Sequence, residues 1–153
     1  PGRFWECDVQ AEHQPGTWDL VYCSLVLEHL PDDEAAIANL RRMTGQYLLV
    51  TSIAGDFARY KRWDARMGHV RNYRRGELEE KLVAAGFALR QCVYWGFPFY
   101  SPFARTLQNF TKAGTGSFNG ATRLLAAVLK GLYYLNSSRK GDIVVILAEV
   151  PEI

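Results

Sequence analysis

Two histidines stand where an imidazole could take part in chemistry. His29 follows Glu28 directly after a strand-like apolar run, and His69 follows Gly68 in a basic, turn-rich segment. An imidazole has an ordinary pKa near neutrality, so it can take a proton from a hydroxyl or amine at physiological pH. Both residues are therefore candidate catalytic bases, and for each the plainer alternative is that it orders its own loop.

Several other kinds of catalytic site have no signature in the sequence. There is no Gly-x-Ser-x-Gly segment of the α/β-hydrolase kind and no Gly-Lys-Ser/Thr phosphate loop. No His/Asp arrangement frames Cys23 as a nucleophile. The three cysteines are too widely spaced to indicate a disulfide framework or a zinc knuckle. No Glu/His set with metal-ligand spacing is evident, so no metal site is predicted.

The candidate residues lie among alternating strands and helices. Apolar runs predict strands at 4–8, 18–23, 47–53, 87–95 and 142–150, and helical periodicity predicts helices at 32–44, 77–85 and 121–135. Residues 54–75 are expected to form a basic loop, and residues 97–120 an irregular aromatic segment. This alternation predicts an α/β fold with a mostly parallel sheet and flanking helices.

Length and composition restrict the class of protein. The chain has 153 residues, of which 48% are hydrophobic and 22% charged, as expected for one globular domain over 1–153. A net charge of +2 is too small to predict nucleic-acid binding. No apolar run reaches the length of a membrane-spanning helix, and no signal peptide precedes the first strand-like run. A reduced, cytoplasmic setting is therefore expected.

Three segments, in this order, resemble one protein family. Cys7-Asp8-Val9 ends the first strand-like run, the run 18–30 continues into Glu-His-Leu, and Gly-His-Val-Arg-Asn-Tyr at 68–73 precedes Ala-Gly-Phe at 85–87. Together they resemble the class I S-adenosylmethionine-dependent methyltransferases, particularly the branch that acts on small molecules, quinones and lipids. The resemblance covers residues 4–100 and 141–150, and it implies a Rossmann-like fold.

The resemblance also implies roles for individual residues. Asp8 would accept a hydrogen bond from the adenine amino group of S-adenosylmethionine beside the backbone of Val9, and the cofactor's amino-acid portion would meet Cys23, Ser24 and Leu25. His29 would face the active site as the catalytic base, and His69 would be a second polar group near the substrate mouth. The plainer alternatives are a strand-ending turn at Asp8 and ordinary loop packing at 23–25.

The family's first cofactor-binding elements have no counterpart here. Gly2 is a lone glycine, and Gly114 and Gly116 follow no strand, so the Gly-x-Gly-x-Gly turn is missing. The chain begins with Pro1 rather than Met. The sequence is therefore expected to be an N-terminally truncated methyltransferase that starts at the family's third strand. Exposed ladder edges are expected to leave the isolated chain marginally stable.

The C-terminal half predicts the kind of methyl acceptor. The aromatic segment and the apolar helix within 97–140 are expected to form a substrate lid over a small apolar or amphipathic acceptor. A basic cluster between 59 and 75 leaves open an anionic substrate or a membrane surface. The alternative functions are a non-catalytic partner-binding remnant and a peripheral membrane protein. Because helix 121–135 carries only Arg123 and Lys130 as charges, it is expected to be buried rather than interfacial.

Overall fold

The computed structural model describes residues 2–56, 58–106 and 119–151. One sheet contains the strands β1 (Trp18–Ser24), β2 (Thr44–Ile53), β3 (Ala88–Trp95) and β4 (Ile143–Glu149). The helices are α1 (Asp33–Met43), α2 (Lys61–Met67), α3 (Glu77–Ala84) and α4 (Gly120–Tyr133), with a 3₁₀ turn at Leu27–His29 and a short irregular helical segment at Phe99–Ala104. The predicted α/β class is confirmed.

The strand order is β1-β2-β4-β3, and β4 runs antiparallel to both of its neighbours. Strands β1, β2 and β3 therefore point the same way, but only β1 and β2 are parallel neighbours. The prediction of a mostly parallel sheet is corrected at this point. A continuous apolar run indicates that both faces of a strand are covered, but it carries no information on the direction of that strand.

The hydrophobic core lies where the two central strands meet α1 and α3. Leu48 and Val50 of β2 and Val144 and Ile146 of β4 are completely buried. The helices contribute further buried side chains, namely Ala36, Ile37, Leu40, Leu78 and Leu82. Each fully buried Val, Leu or Ile stabilises the fold by about 1.5–3 kcal/mol. This core fixes the position of the loops that follow β1 and β2.

The predicted strand at 4–8 is wrong. In the structure this segment has no strand, and Phe4 is 96% exposed. The carbonyl of Asp8 instead accepts hydrogen bonds from the backbone N–H groups of Ala11 and Glu12, which makes a turn. β-prone residues alone do not make a strand, because a strand also needs a neighbour to complete its ladder.

A helix that was not predicted lies inside the basic segment 54–75. Helix α2 has only seven residues and ends at Gly68, whose φ of +77° is the left-handed conformation that glycine adopts at low cost. Its charged sequence lacks the apolar periodicity that predicts a helix. The expectation of a basic loop over the whole of 54–75 is therefore corrected.

Helix α4 is present as predicted, but its surroundings differ from the expectation. The side chains of Leu124, Leu125 and Val128 are each at least half exposed. The prediction that this apolar helix is buried is therefore wrong for these residues. None of the helices in the described parts of the chain is both long and apolar enough to cross a membrane. The part of the predicted lid at 107–118 lies outside the described residues.

Candidate functional site

The carboxyl ends of the parallel strands β1 and β2 meet at one edge of the sheet. Beyond β1, Leu25 adopts a φ of +52°, which is unusual for a residue other than glycine, and its N–H donates to the carbonyl of Thr51. The chain then enters the 3₁₀ turn that carries Glu28 and His29. In open α/β sheets, ligands bind beyond the carboxyl ends of strands, so this edge is where a site is expected.

Three polar side chains meet at this edge. These are Glu28, His29 and His69. One carboxylate oxygen of Glu28 and one ring nitrogen of each histidine all lie within 4.8 Å of one another. The imidazole rings of His29 and His69 have centroids 4.7 Å apart and lie nearly perpendicular. The backbone N–H of Val70 donates to the carbonyl of Glu28 at 2.9 Å, which holds the two loops together. The structure thus joins the two histidines that the sequence singled out and adds Glu28.

Hydrogen bonds fix the proton on each imidazole. Nδ1 of His29 lies 3.2 Å from the carbonyl oxygen of Gly68, and Nδ1 of His69 lies 2.9 Å from Oδ1 of Asp64. A carbonyl or carboxylate oxygen only accepts, so Nδ1 must be the protonated donor in both rings. In the neutral imidazole, Nε2 then carries a lone pair, which can take a proton or bind an ion.

Glu28 is a carboxylate taken fully out of water. Its side chain is completely buried, and Oε2 accepts a hydrogen bond from the Ser52 hydroxyl at 2.6 Å. Oε1 has no hydrogen-bond partner within the described residues. Burial, and to a smaller extent the negative charge of Glu28, raises the pKa of the neighbouring Cys23 thiol to about 12. Cys23 is therefore an inert thiol, as the sequence indicated.

A buried ion-pair network supports His69 from behind. Asp64 is fully buried and accepts from His69, from the Asn72 amide at 3.1 Å and from Arg105 at 3.1 Å. Arg105 is also fully buried, and it reaches Asp142 at 3.0 Å. We call Glu28, His29, Asp64, His69, Asn72 and Arg105 the polar junction. Within it, Asp64 holds His69, Asn72 and Arg105 in place, because a buried charge is tolerated only when it is paired and hydrogen-bonded.

A second carboxylate fixes the loop that carries His69. Asp33, at the start of α1, accepts from the Tyr73 hydroxyl at 2.8 Å and from Lys81 at 3.0 Å, and it pairs with Arg71. Burial of Asp33 opposes its ionisation, but these hydrogen bonds and the Arg71 charge outweigh it and hold the pKa of Asp33 below its usual value. The loop after α2 is thereby tied to α1.

Comparison with known proteins bears on the fold. Neither a family model nor a curated protein matches the sequence. Among solved structures, a candidate methyltransferase from Bacillus halodurans C-125 superposes with a TM-score of 0.60 at 18% identity, covering 97% of this chain and 78% of that protein. Phosphoethanolamine N-methyltransferase 2 from Haemonchus contortus, solved with S-adenosyl-L-methionine, gives 0.57 at 17% identity over 95% of this chain and 36% of that protein. This chain has the S-adenosylmethionine-dependent methyltransferase fold.

The methyltransferase fold does not by itself determine the reaction. A third similar structure, with a TM-score of 0.54, 20% identity and coverage of 95% of this chain, is the [4+2]-cyclase SpnF. This chain spans 54% of the length of SpnF. A fold accommodates different reactions through different sites, so the activity has to be argued from the residues at the sheet edge.

The residues predicted to bind the cofactor fall into two groups in this methyltransferase fold. Cys23, Ser24 and Leu25 lie at the carboxyl end of β1, where the prediction placed them. Asp8 and Val9 instead lie in the turn that packs on α1, where the Val9 carbonyl accepts from Asn39 at 2.8 Å. Oδ1 of Asp8 accepts from the Gln10 amides, and no hydrogen bond from a described residue reaches its Oδ2. That oxygen can accept from an amino group.

An open cavity of about 300 Å³ lies beside the polar junction. Ala54 and Gly55 line it just beyond β2, and Asp142, another lining residue, is paired with Arg105 of the junction. Its remaining lining is basic, aromatic or small: Arg59, Arg75, Tyr94, Phe97, Ser101, Pro102, Lys140 and Gly141. The guanidinium of Arg75 stacks on Tyr94 at 4.3 Å, and the Lys140 ammonium lies 4.4 Å from the centre of the Phe97 ring. The cavity thus combines positive charge with flat apolar surface.

Sequence reasoning missed Asp64, Arg105 and Asp142. Asp64 is one of only two acidic residues in the basic segment 54–75, and that contrast is a signal that could have identified it. Arg105 gives no such signal, because a single arginine among aromatic residues is usually a solvated charge. Only the folded structure shows that it connects two carboxylates.

Proposed function

We propose that this chain takes part in methyl transfer from S-adenosylmethionine to a small-molecule acceptor. The observation that carries the proposal is the pairing of His29 with His69 at the carboxyl ends of β1 and β2, in a fold shared with S-adenosylmethionine-dependent methyltransferases. When bound, the cofactor would supply a methyl group already activated on a sulfonium. The protein then has to align donor and acceptor and to receive a proton.

His29 fits the role of base. Its Nδ1–H is held by the Gly68 carbonyl, so its Nε2 lone pair is the basic position, and the ring is only partly buried. His69 is almost fully buried and anchored by Asp64, which fits a group that orients the acceptor. For the cofactor, the proposed contacts are Ser24 and Leu25 at the carboxyl end of β1 and Oδ2 of Asp8, with Cys23 and Val9 beside them.

The cavity beside the polar junction fits the acceptor. Arg59, Arg75 and Lys140 favour an anionic group, and Tyr94 and Phe97 favour an apolar ring or chain next to it. The proposed acceptor is therefore amphipathic, and the described parts of the predicted lid 97–140, at 97–106 and 119–140, are proposed to cover it. Within this proposal the domain is the single unit 1–153.

The test measures cofactor binding and turnover separately. S-adenosylhomocysteine binding is followed by calorimetry, and transfer of labelled methyl from S-adenosylmethionine is followed with a panel of amphipathic hydroxyl and amine acceptors. His29→Ala is expected to lower kcat by about 10²–10⁴-fold while leaving the Kd of S-adenosylhomocysteine unchanged, since removal of a general base has an effect of that size. His13→Ala, an exposed histidine outside the site, is the matched control.

Two results would contradict the proposal. Unchanged turnover in His29→Ala would remove His29 from the reaction. Failure of the parent chain to bind S-adenosylhomocysteine would favour a non-catalytic role for this methyltransferase fold.

The exposed apolar surface of α4 favours a second candidate function, contact with a membrane surface. Leu124, Leu125 and Val128 are exposed, and the helix carries Arg123 and Lys130 but no acidic residue. Such a helix can lie in the headgroup region of anionic lipid. Sedimentation with phosphatidylserine vesicles tests this role, and Val128→Asp is expected to abolish binding. If the parent chain stays in the supernatant, this candidate is excluded.

A further inference from the structure

We propose that Glu28, His29 and His69 form a binding site for one divalent transition-metal ion, with Zn²⁺ as the representative ion. One carboxylate oxygen and two imidazole nitrogens would hold it, and at least one coordination position would stay open. The site itself does not depend on methyl transfer, whereas its use in the reaction rests on the proposed function.

Both histidines already have the hydrogen-bonding pattern of metal ligands. A histidine that binds a metal nearly always donates its other N–H to a carbonyl or carboxylate, which fixes the tautomer and the ring. His29 does this with the Gly68 carbonyl and His69 does it with Asp64. The nitrogen left on each ring is Nε2, and it carries a lone pair.

The hydrogen bonding of the Glu28 carboxylate is incomplete. A fully buried carboxylate normally has a positive partner or a full set of donors. Glu28 has one donor, Ser52, on Oε2, and its buried Oε1 is unpartnered within the described residues. No ion pair of the described residues involves Glu28. A bound cation would satisfy Oε1 and balance the charge.

The three candidate ligands lie close together. Zn²⁺ forms bonds of about 2.0–2.2 Å, which puts the ligands of a tetrahedral site about 3.4 Å apart. One ligand-type atom from each of Glu28, His29 and His69 lies within 4.8 Å of the other two, so binding would require the three side chains to draw closer together. Both loops are braced, because Val70 donates to the Glu28 carbonyl and Asp64 is held by Asn72 and Arg105.

The donor set decides the class of ion. Two imidazoles and one carboxylate suit Zn²⁺, Fe²⁺, Co²⁺ or Ni²⁺, whereas Mg²⁺ and Ca²⁺ take oxygen ligands almost exclusively. Three protein ligands leave room for water or for an acceptor oxygen. A bound ion would occupy the Nε2 lone pair that otherwise makes His29 the base, so the two roles belong to different states of the site. With the ion present, an acceptor hydroxyl bound at the open position would lose its proton to solvent more easily, because a Lewis acid stabilises the oxyanion. This would narrow the acceptor to one with a metal-binding oxygen.

The test is a titration of the full chain with Co²⁺, whose visible absorption reports its coordination, followed by displacement with Zn²⁺. We expect one Co²⁺ ion to bind per chain and to give visible absorption bands without a sulfur-to-cobalt charge-transfer band. Glu28→Gln and His29→Gln are each expected to weaken binding at least ~10-fold, since even the loss of an outer-shell partner costs about 10–100-fold. His13→Gln is the matched control and should bind as the parent does.

Several outcomes would overturn the site. The folded parent chain could fail to bind Co²⁺, or the parent and both variants could bind it with equal affinity. A thiolate-to-cobalt charge-transfer band would place the ion on a cysteine instead. Circular dichroism melts of each variant establish that it is folded, and Glu28→Gln keeps an acceptor for Ser52. The spectrum needs neither cofactor nor acceptor, so metal binding can succeed where methyl transfer fails, and the reverse.

Discussion

The polar junction and helix α4 depart from the usual pattern of burial in opposite directions. The junction hides charged groups, with Glu28, Asp64 and Arg105 fully buried, whereas α4 leaves Leu125 and Val128 half exposed. Buried charge destabilises a fold unless every member is paired, so the junction is sensitive to any single change. An exposed apolar side chain costs the fold little, so α4 tolerates change. Substitutions in the polar junction are therefore expected to change the free energy of unfolding strongly. Substitutions on the exposed face of α4 are expected to change it little, so that face can serve in binding.

The largest effect is expected at Arg105. Arg105→Ala leaves Asp64 buried without its cation and frees Asp142, and the free energy of unfolding should fall by about 3–5 kcal/mol. Urea denaturation followed by tryptophan fluorescence measures this. Arg90→Ala, which removes an exposed ion pair with Glu149, is the control and should leave the midpoint unchanged. Equal, small effects of both substitutions would show that the junction is no more sensitive than the surface.

An intermediate, pH-dependent effect is expected at Asp33. Because its pKa is lowered in the folded state, its contribution to stability is fully present above the unfolded value of about 3.9 and is lost as pH falls through the folded pKa. Asp33→Asn should cost about 1.5–3 kcal/mol at pH 6. That difference from the parent should shrink below about pH 3.9. Urea midpoints at pH 6 and pH 3 measure it, with the exposed Asp19→Asn as the control. A pH-independent difference would contradict this prediction.

The smallest effect on stability is expected on α4. Val128→Asp places a charge on an already exposed position, so the free energy of unfolding should change by less than about 0.5 kcal/mol. The same variant is the one expected to lose vesicle binding. A destabilisation as large as that of Arg105→Ala would mean that Val128 packs against the fold in solution, and the contrast between the two regions would disappear.

Elements with strong local patterns could be predicted from the sequence. The apolar runs of β1 to β4 and the periodicity of α1, α3 and α4 are local properties, and these elements are present. The direction of β4 is not local, because it depends on which strands flank it. The prediction of a strand at 4–8 was wrong because these aromatic residues have no neighbouring strand to pair with. Helix α2 was not predicted because its charged sequence lacks apolar periodicity and the helix is short, ending at Gly68.

The candidate site was predictable residue by residue but not as an arrangement. His29 and His69 stood out by type and by their neighbours in the sequence. The Glu28–His29–His69 set was missed because its third member lies in a different loop, brought near by backbone hydrogen bonds to Glu28. Arg105 and Asp142 each resemble an ordinary surface charge until tertiary packing joins them. The predicted roles of Asp8, Val9, Cys23, Ser24 and Leu25 remain predictions.

The place of β4 in the sheet sets the order in which this chain can fold during synthesis. Of the four described strands, β4 is synthesised last, yet it forms the ladders with both β2 and β3. Until β4 emerges from the ribosome, the only ladder that the described strands can form is β1–β2, and both edges of β3 stay unpaired. Contacts so distant in sequence fold slowly and expose the nascent chain to aggregation. Chaperone dependence should therefore rise sharply if translation stalls before Ile143.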